Sequence, residues 1–474
     1  MTAIETLTAA QFRGLGLTPT VDARSLAMPT FYDLLGDSRL ALETTSTSAS
    51  IIRRSAASFV EQLNMRPSFN NRLRRNVYGA RAGYTSAEYL QAYFQSVYDS
   101  SSNIVFLFGV INDIGAGYTA AQVLSGYLMT ANGSSGAPGD SRAIGGIAGA
   151  IDKLTTAGKR VVVFTDWPQH STTEAKVFQT IDYNSGLMDI AARNPMVTLI
   201  DTWPVMVNPT NNSFSTLLNT ALFQVEGVIQ HQNMAGAMAI SEKIDAAIRH
   251  FVPVVDNQRV AARVDGPLTG KDNTLFTNSL WNSLFVEADA GPSYQGVGSS
   301  SGAGALASGS VVPPGWKVEM DAGTTVTLST VAGKYGNDLV VSITATQAGS
   351  VYLRQGVNAA GRASQNPDLR GKPVRFSAEV DVAAGSSAFL GVEAECASPS
   401  TASGNLLFGS NNVSAGTPGA GPATAYSQIL MTPTVTLAAD ATDVVAGTRF
   451  RFNGAGSATI NVRRVELRKR KSAV

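Results

Sequence analysis

Cysteine is almost missing from this chain of 474 residues, where Cys396 stands alone. A single thiol excludes an internal disulfide and a cysteine-rich metal centre. Histidine is nearly as scarce. His170, His231 and His250 are the full set, so a multi-histidine zinc site is not expected and imidazole chemistry has three candidates. Charged residues make up only 15% of the chain and the formal net charge is +1, without the basic footprint of a nucleic-acid binder. The exception, "RRVELRKRK" near the C-terminus, reads as a solvated tail. No apolar run is long enough to span a bilayer. The opening "MTAIETLTAAQFRGLGL" lacks the basic-then-apolar order of a signal peptide. These absences lead to the expectation of a soluble protein, synthesised in the cytoplasm and not exported by the usual N-terminal route.

What is present is a core-forming composition, 44% hydrophobic, in a chain long enough for two or three domains. From about residue 28 to residue 255, short β-rich runs ("TFYDLL", "RRNVYG", "NIVFLFG", "RVVVFTD", "MVTLIDTW") alternate with helically spaced stretches. The latter run over 50–63, 86–97, 120–129, 141–157 and 175–193, and end with "MAGAMAISEKIDAAIRHF". Several of the runs are continuously apolar, as in parallel strands covered on both faces. Strand–helix alternation of this kind predicts an α/β domain built on a doubly wound parallel sheet. After about Pro253 helical spacing vanishes and Gly, Ser, Thr and Val dominate. Runs such as "WKVEM", "TTVTLSTV", "DLVVSITAT", "VRFSAEVDV" and "ATINVRRVELR" predict an antiparallel β-sandwich of jelly-roll type. The expected division is an extension over 1–27, an α/β domain over 28–255, a linker and edge segment over 256–310, and the sandwich over 311–474.

Four segments at or beside the carboxyl ends of predicted strands, where open α/β sheets bind ligands, carry chemically useful residues. "DLLGDSRLAL" places Ser38 after a buried run, either to cap a helix or to act as a nucleophile. In "NVYGARAGYTS", Gly83 lets its amide approach a substrate closely, or simply turns the chain into a helix. In "FLFGVINDIG", the Asn112 side chain can donate to an oxyanion or cap the following loop. In "VEGVIQHQNMAG", His231 precedes the last helix, as a surface residue or as a base for Ser38.

In this order the four segments resemble the signature blocks of the SGNH hydrolases, the GDSL esterase/lipase family. Gly36-Asp37-Ser38 matches the nucleophile block, Gly83-Tyr84-Thr85 the glycine block, and Asn112-Asp113 the asparagine block. His231-Gln232-Asn233 matches the final block, with Gln in place of the usual Pro. The resemblance covers roughly the first 250 residues and implies a flavodoxin-like sheet. It also implies acyl transfer from Ser38 with His231 as base, an oxyanion hole of Ser38, Gly83 and Asn112, and no metal or organic cofactor. Two features depart from the family pattern. Val110 and Ile111 separate Gly109 from Asn112, and Val228 stands where the family has the Asp that orients the histidine. Glu226, five residues before His231, is the substitute orienting acid, a backbone carbonyl the alternative. Asp37 reads as a structural hydrogen-bonder of its turn. Asp166, Trp167 and His170, after the strand "VVVFTD", read either as plain loop residues or as lining the substrate side.

The stretch from "SVVPPGWKVEM" to "GSATINVRRVELRK" resembles carbohydrate-binding jelly-roll modules, with a stability or oligomerisation module as the alternative. Trp316, Tyr335 and Tyr352 are each open to a core role. Together the two resemblances imply a serine esterase removing O-acetyl groups from a carbohydrate polymer. Such substrates lie outside cells, so a phage-tail virion component released by lysis reconciles them with the missing signal peptide. The competing readings are a general carboxylesterase or lipase, and a non-catalytic virion appendage with a decayed hydrolase domain.

Overall fold

The computed structural model describes residues 30–42, 44–48, 51–69, 73–130, 138–169, 172–208, 217–224, 230–252, 299–333, 336–359, 368–398, 406–412 and 424–469, with 71, 210, 213–214, 280, 285 and 422 besides. In chain order, β1 (Thr30–Gly36) is followed by α1 (Ser38–Ala41), β2 (Thr44–Ser48), β3 (Ile51–Ser55), α2 (Phe59–Met65) and β4 (Leu73–Ala80). Next come α3 (Ser86–Tyr98), β5 (Ile104–Phe108), α4 (Ile111–Gly115), α5 (Ala120–Ser125) and the short ladder of β6 (Leu128–Met129) with β7 (Gly139–Asp140). The unit closes with α6 (Gly146–Thr156), β8 (Arg160–Phe164), α7 (Glu174–Arg193), β9 (Val197–Ile200), α8 (Trp203–Met206) and α9 (Met234–Ile248).

The five apolar runs form one parallel sheet in the order β4-β1-β5-β8-β9. Alternate residues of its strands feed two cores. Tyr32, Leu34, Phe106, Phe108 and Phe164 face α2 and α9, which bury Phe59, Leu63, Ile240 and Ile244 there. Leu35, Val105, Leu107, Val161 and Val163 face α3, α6 and α7, through Leu90, Ile151 and Leu187. Covering both faces is what permits uninterrupted apolar strands. This is the expected doubly wound α/β fold.

The second unit contains β10 (Ser299–Gly302), β11 (Ala305–Leu306), β12 (Lys317–Met320), β13 (Thr324–Ala332), β14 (Asn337–Ala345), β15 (Gly349–Asn358) and β16 (Pro373–Gly385). It continues through β17 (Phe389–Ser398), β18 (Leu406–Asn412), β19 (Tyr426–Met431), β20 (Val435–Thr436), β21 (Asp443–Phe452) and β22 (Gly456–Lys469). Two mostly antiparallel sheets, β10-β12-β15-β21-β17-β18-β3-β2 and β11-β13-β14-β22-β16-β19, enclose one apolar core. Leu353, Val392 and Phe450 enter it from the first sheet, Val341, Phe376 and Ile460 from the second. Trp316 lies in this core, its ring 5.4 Å from that of Phe285. Tyr352 is flanked by the Arg354 and Arg449 guanidinium groups, at 4.9 and 5.0 Å from its ring centre. Tyr335 lies outside the described residues.

The strand order departs from the expected division of the chain. β3 pairs in parallel with β18 (Leu407↔Ile51, Gly409↔Arg53, Asn412↔Ser55) and carries β2 on its other side. Residues 44–48 and 51–55, from within the expected α/β domain, therefore complete a sheet of the sandwich. Likewise β10 and β11, from the expected linker, pair with β12 and β13. The helix expected over 50–63 is a strand in its first part, with α2 beginning at Phe59. Its apolar spacing suits a helix, but the β-branched pair Ile51-Ile52 suits a strand when a partner edge is at hand. That edge, β18, lies more than 350 residues downstream.

Candidate active site

Ser38 is set at the sheet's carboxyl edge by the residues on either side of it. Gly36 ends β1 beside Phe108, where an added Cβ would meet the Phe108 carbonyl oxygen at 2.0 Å. The Asp37 amide then donates to that carbonyl at 3.2 Å. The Asp37 carboxylate caps α1 by accepting from the Arg39 amide at 2.9 Å, the structural role expected for it. Burial raises the Asp37 carboxyl above the usual range, against the opposing charges of Arg39 and His231 and a bond from the Arg39 amide. Ser38 is the first residue of α1, so its amide is one of the orphan donors of a helix's first turn.

His231 Nε2 lies 2.8 Å from Ser38 Oγ. The two side chains come from segments 193 residues apart, and backbone pairing with residues 223–224 holds His231 in place. The Gln224 amide donates to the His231 carbonyl at 2.9 Å. Gln232 forms an isolated antiparallel bridge with Phe223. Asn233 caps α9, accepting from the Gly236 amide and donating to the Ala221 and Phe223 carbonyls. Gln232 is fully buried; its Nε2 donates to the Arg39 carbonyl at 2.9 Å and the Ala57 carbonyl at 3.0 Å.

Gly83 and Asn112 meet on the neighbouring strand ends. β4 and β5 flank β1, with Gly36 in register with Ala80 and with Phe108. The Arg81 amide donates to the Gly36 carbonyl at 3.0 Å. Gly83 turns the chain with φ +78°, a left-handed value that favours glycine. Asn112 Nδ2 donates to the Tyr84 carbonyl at 2.9 Å, which holds the amide against the Gly83 turn. Beside it the buried Asp113 accepts from the Ser86 amide, the Ser86 hydroxyl and the Tyr127 hydroxyl. Burial lifts the Asp113 carboxyl to about 7 even against those bonds.

Three expectations on the substrate side are corrected or fall elsewhere. Trp167 is fully buried, packed against Phe108 and Phe223 under the site, with its indole N–H donating to the Gln230 carbonyl at 3.2 Å. Its large apolar surface stabilises the core more than a wet rim. Asp166 is also buried, in an ion pair with Arg39. His170 and Glu226, like Val228, lie outside the described residues.

Arg39 is the residue that sequence reasoning missed. Fully desolvated, it pairs with Asp166, donates to the Trp167 carbonyl at 2.8 Å and the Gln230 carbonyl at 3.2 Å, and lies 4.4 Å from the Trp167 ring centre. Asp166 Oδ2 in turn accepts from the Val110 amide at 2.9 Å. One guanidinium thus ties α1, the turn before Asn112 and the residue before His231. The available signal was an Arg and an Asp placed just after apolar strands that the sheet makes near neighbours.

The fold and site define a doubly wound α/β unit with a serine–histidine pair at its carboxyl edge, followed by a β-sandwich. No family model and no curated protein matches the chain. Among solved structures, the chain is similar to a member of the lipolytic G-D-S-L family from Veillonella parvula, with a TM-score of 0.32 and 15% identity over 45% of this chain and 95% of that one. It is similar to the lipase/acylhydrolase of Enterococcus faecalis, with a TM-score of 0.33 and 13% identity over 48% of this chain and all of that one. It is also similar to a structure of carbohydrate-binding modules of the β-sandwich superfamily, with a TM-score of 0.23 and 12% identity over 32% of this chain; the chain spans 56% of that structure's length.

Proposed function

We propose that this chain is a serine ester hydrolase. The 2.8 Å contact between His231 Nε2 and Ser38 Oγ carries the reading, because a hydroxyl is a useful nucleophile only when a base can take its proton. His231 accepts that proton as Ser38 Oγ attacks the ester carbonyl. The developing oxyanion is received by the Ser38 and Gly83 amides and the Asn112 side chain. His231 then protonates the departing alcohol. Water, deprotonated by the same imidazole, attacks the acyl-enzyme, and the acid leaves as Ser38 recovers its proton. Glu226 is the proposed orienting acid; Glu226→Gln is expected to lower kcat by up to about 10⁴-fold, and unchanged turnover would assign that role to a backbone carbonyl.

The substrate class we infer is an O-acetylated carbohydrate polymer. A β-sandwich joined to the hydrolytic unit through a shared sheet suits a polymeric substrate held at more than one place. The experiment compares wild type and Ser38→Ala on p-nitrophenyl acetate, on a long-chain p-nitrophenyl ester and on O-acetylated polysaccharides. Ser38-dependent acetate release from a polysaccharide supports the full reading. Ser38-dependent cleavage confined to long-chain esters rejects the carbohydrate and leaves a lipase. Equal, slow hydrolysis by both proteins rejects the enzyme.

A further inference from the structure

Gln232 joins three backbone segments. Its Nε2 donates to the Arg39 carbonyl and the Ala57 carbonyl, at 2.9 and 3.0 Å. Arg39 follows Ser38 and Gln232 follows His231, so this one amide ties the stretches that carry both reacting side chains. Ala57 is held from the opposite direction. It lies in the turn between β3 and α2, where its amide donates to Ser55 Oγ at 3.2 Å, and Ser55 ends a strand of the sandwich sheet.

One residue earlier, the Ala56 carbonyl accepts from Gln62 Nε2 at 2.7 Å. Gln62 Nε2 also donates to Asn411 Oδ1 at 2.9 Å, while Gln428 Nε2 donates to Gln62 Oε1 at 2.6 Å. Asn411 Nδ2 donates onward to the Val392 carbonyl at 2.6 Å. Asn411, Gln428 and Val392 belong to the sandwich, and all three amide side chains are at most 2% exposed. Asn411 adopts φ +60°, a left-handed conformation uncommon outside glycine, and surroundings that keep such a residue in place must over-determine it. A buried, mutually satisfied amide network is rigid and has few alternative arrangements.

We infer that the sandwich is a positioning part of the active site: the buried relay of Asn411, Gln428 and Gln62 fixes the 56–57 turn, and Gln232 transmits that placement to His231 against Ser38. The kinetic consequence rests on the esterase reading; the geometric one does not. Gln232 and Gln428 are positioning residues and touch no reacting atom.

The test uses the full chain carrying Gln232→Met or Gln428→Met, with Gln428→Leu as a second removal of the same amide. Gln355→Met, at another sandwich glutamine with 2% exposure and outside the relay, is the control. Two quantities are read: turnover of p-nitrophenyl acetate, and the imidazole NMR signal of His231, identified by its loss in His231→Gln among only three histidines. Gln232→Met is expected to lower kcat about 10²-fold, the effect of displacing a reacting group by about 1 Å, with little change in KM. Gln428→Met is expected to lower kcat about tenfold, the size that off-site coupling reaches. Both shift the His231 signal, and Gln355→Met changes neither it nor kcat. A folded Gln428→Met or Gln428→Leu with wild-type kcat and an unmoved His231 signal overturns the inference, as does an equal effect of Gln355→Met. If wild type cleaves no ester while Gln428→Met still moves the His231 signal, the esterase reading falls and the relay stands.

Discussion

Ser38 owes its placement to its two neighbours, Asp37 capping below it and Arg39 clamping beside it. Ser38→Ala is expected to lower kcat on the order of 10⁶-fold, to background. Asn112→Ala, which leaves the nucleophile and base intact, should cost roughly 10²–10³-fold. Equal losses from the two would contradict their separate roles. Arg39→Lys should destabilise by about 3–5 kcal/mol, because one ammonium cannot replace a planar fork and leaves Asp166 buried and under-compensated; chemical denaturation measures it. Asp113 makes stability pH-dependent. Its folded carboxyl titrates at about 7, whereas an unfolded one titrates near 4. The native state therefore holds a proton that the unfolded state has lost, so this group's contribution is complete below about pH 4 and is lost as pH rises through about 7. Denaturation of wild type and Asp113→Asn at pH 4.5 and 7.5 should show a smaller decline in the variant, in which the raised Asp37 carboxyl remains.

At the scale of the element, the strand ends are built for close approach. Gly109, directly after β5, has φ +108°, and a Cβ there would lie 2.2–2.4 Å from the Asp37 carboxylate. Only a residue without a side chain lets the β5 end and the nucleophile turn lie that close. Gly109→Ala should destabilise by about 1–3 kcal/mol through the backbone alone and lower kcat by pushing Asp37, and Ser38 with it, out of place. Unchanged kcat in a folded variant would show that the nucleophile turn tolerates the shift. The hairpin of β2 and β3 shows what a local pattern misses. The β3 residues fall at the start of a stretch whose spacing suits a helix, but with β2 they join a sheet whose other members begin after residue 298. The ladder is reinforced by side chains, with Arg53 of β3 reaching Glu395 of β17 at 3.2 Å.

For the whole molecule, this shared sheet joins the two units through one hydrogen-bonded ladder. Beyond the strand pairing, Asn71 Nδ2 donates to the Ile429 carbonyl at 2.7 Å, and α2 packs beside β19 and the Gln62–Gln428 pair. Calorimetry is expected to show a single unfolding transition, since separating the units would expose the β3 edge and three buried amides at once. Two transitions, one for each unit, would contradict it. By the same reasoning a fragment ending at residue 255 should aggregate and lose the proposed esterase activity, because β3 would present an unpaired edge.

The sequence by itself determined the parallel sheet, the sandwich and the segments of Ser38, Gly83, Asn112 and His231 that gather at the sheet's carboxyl edge. Apolar alternation and turn residues are local signals, and a Gly-Asp-Ser turn or a histidine before a helix is visible in a few neighbouring letters. Only the tertiary structure decided that Trp167 is core, that Arg39 and Asp166 share one buried clamp, and that β2 and β3 belong to the far sheet. Each of these depends on partners scores to hundreds of residues away. Burial, desolvated ion pairing and strand edges are properties of such encounters, and no window along the chain contains both sides of them.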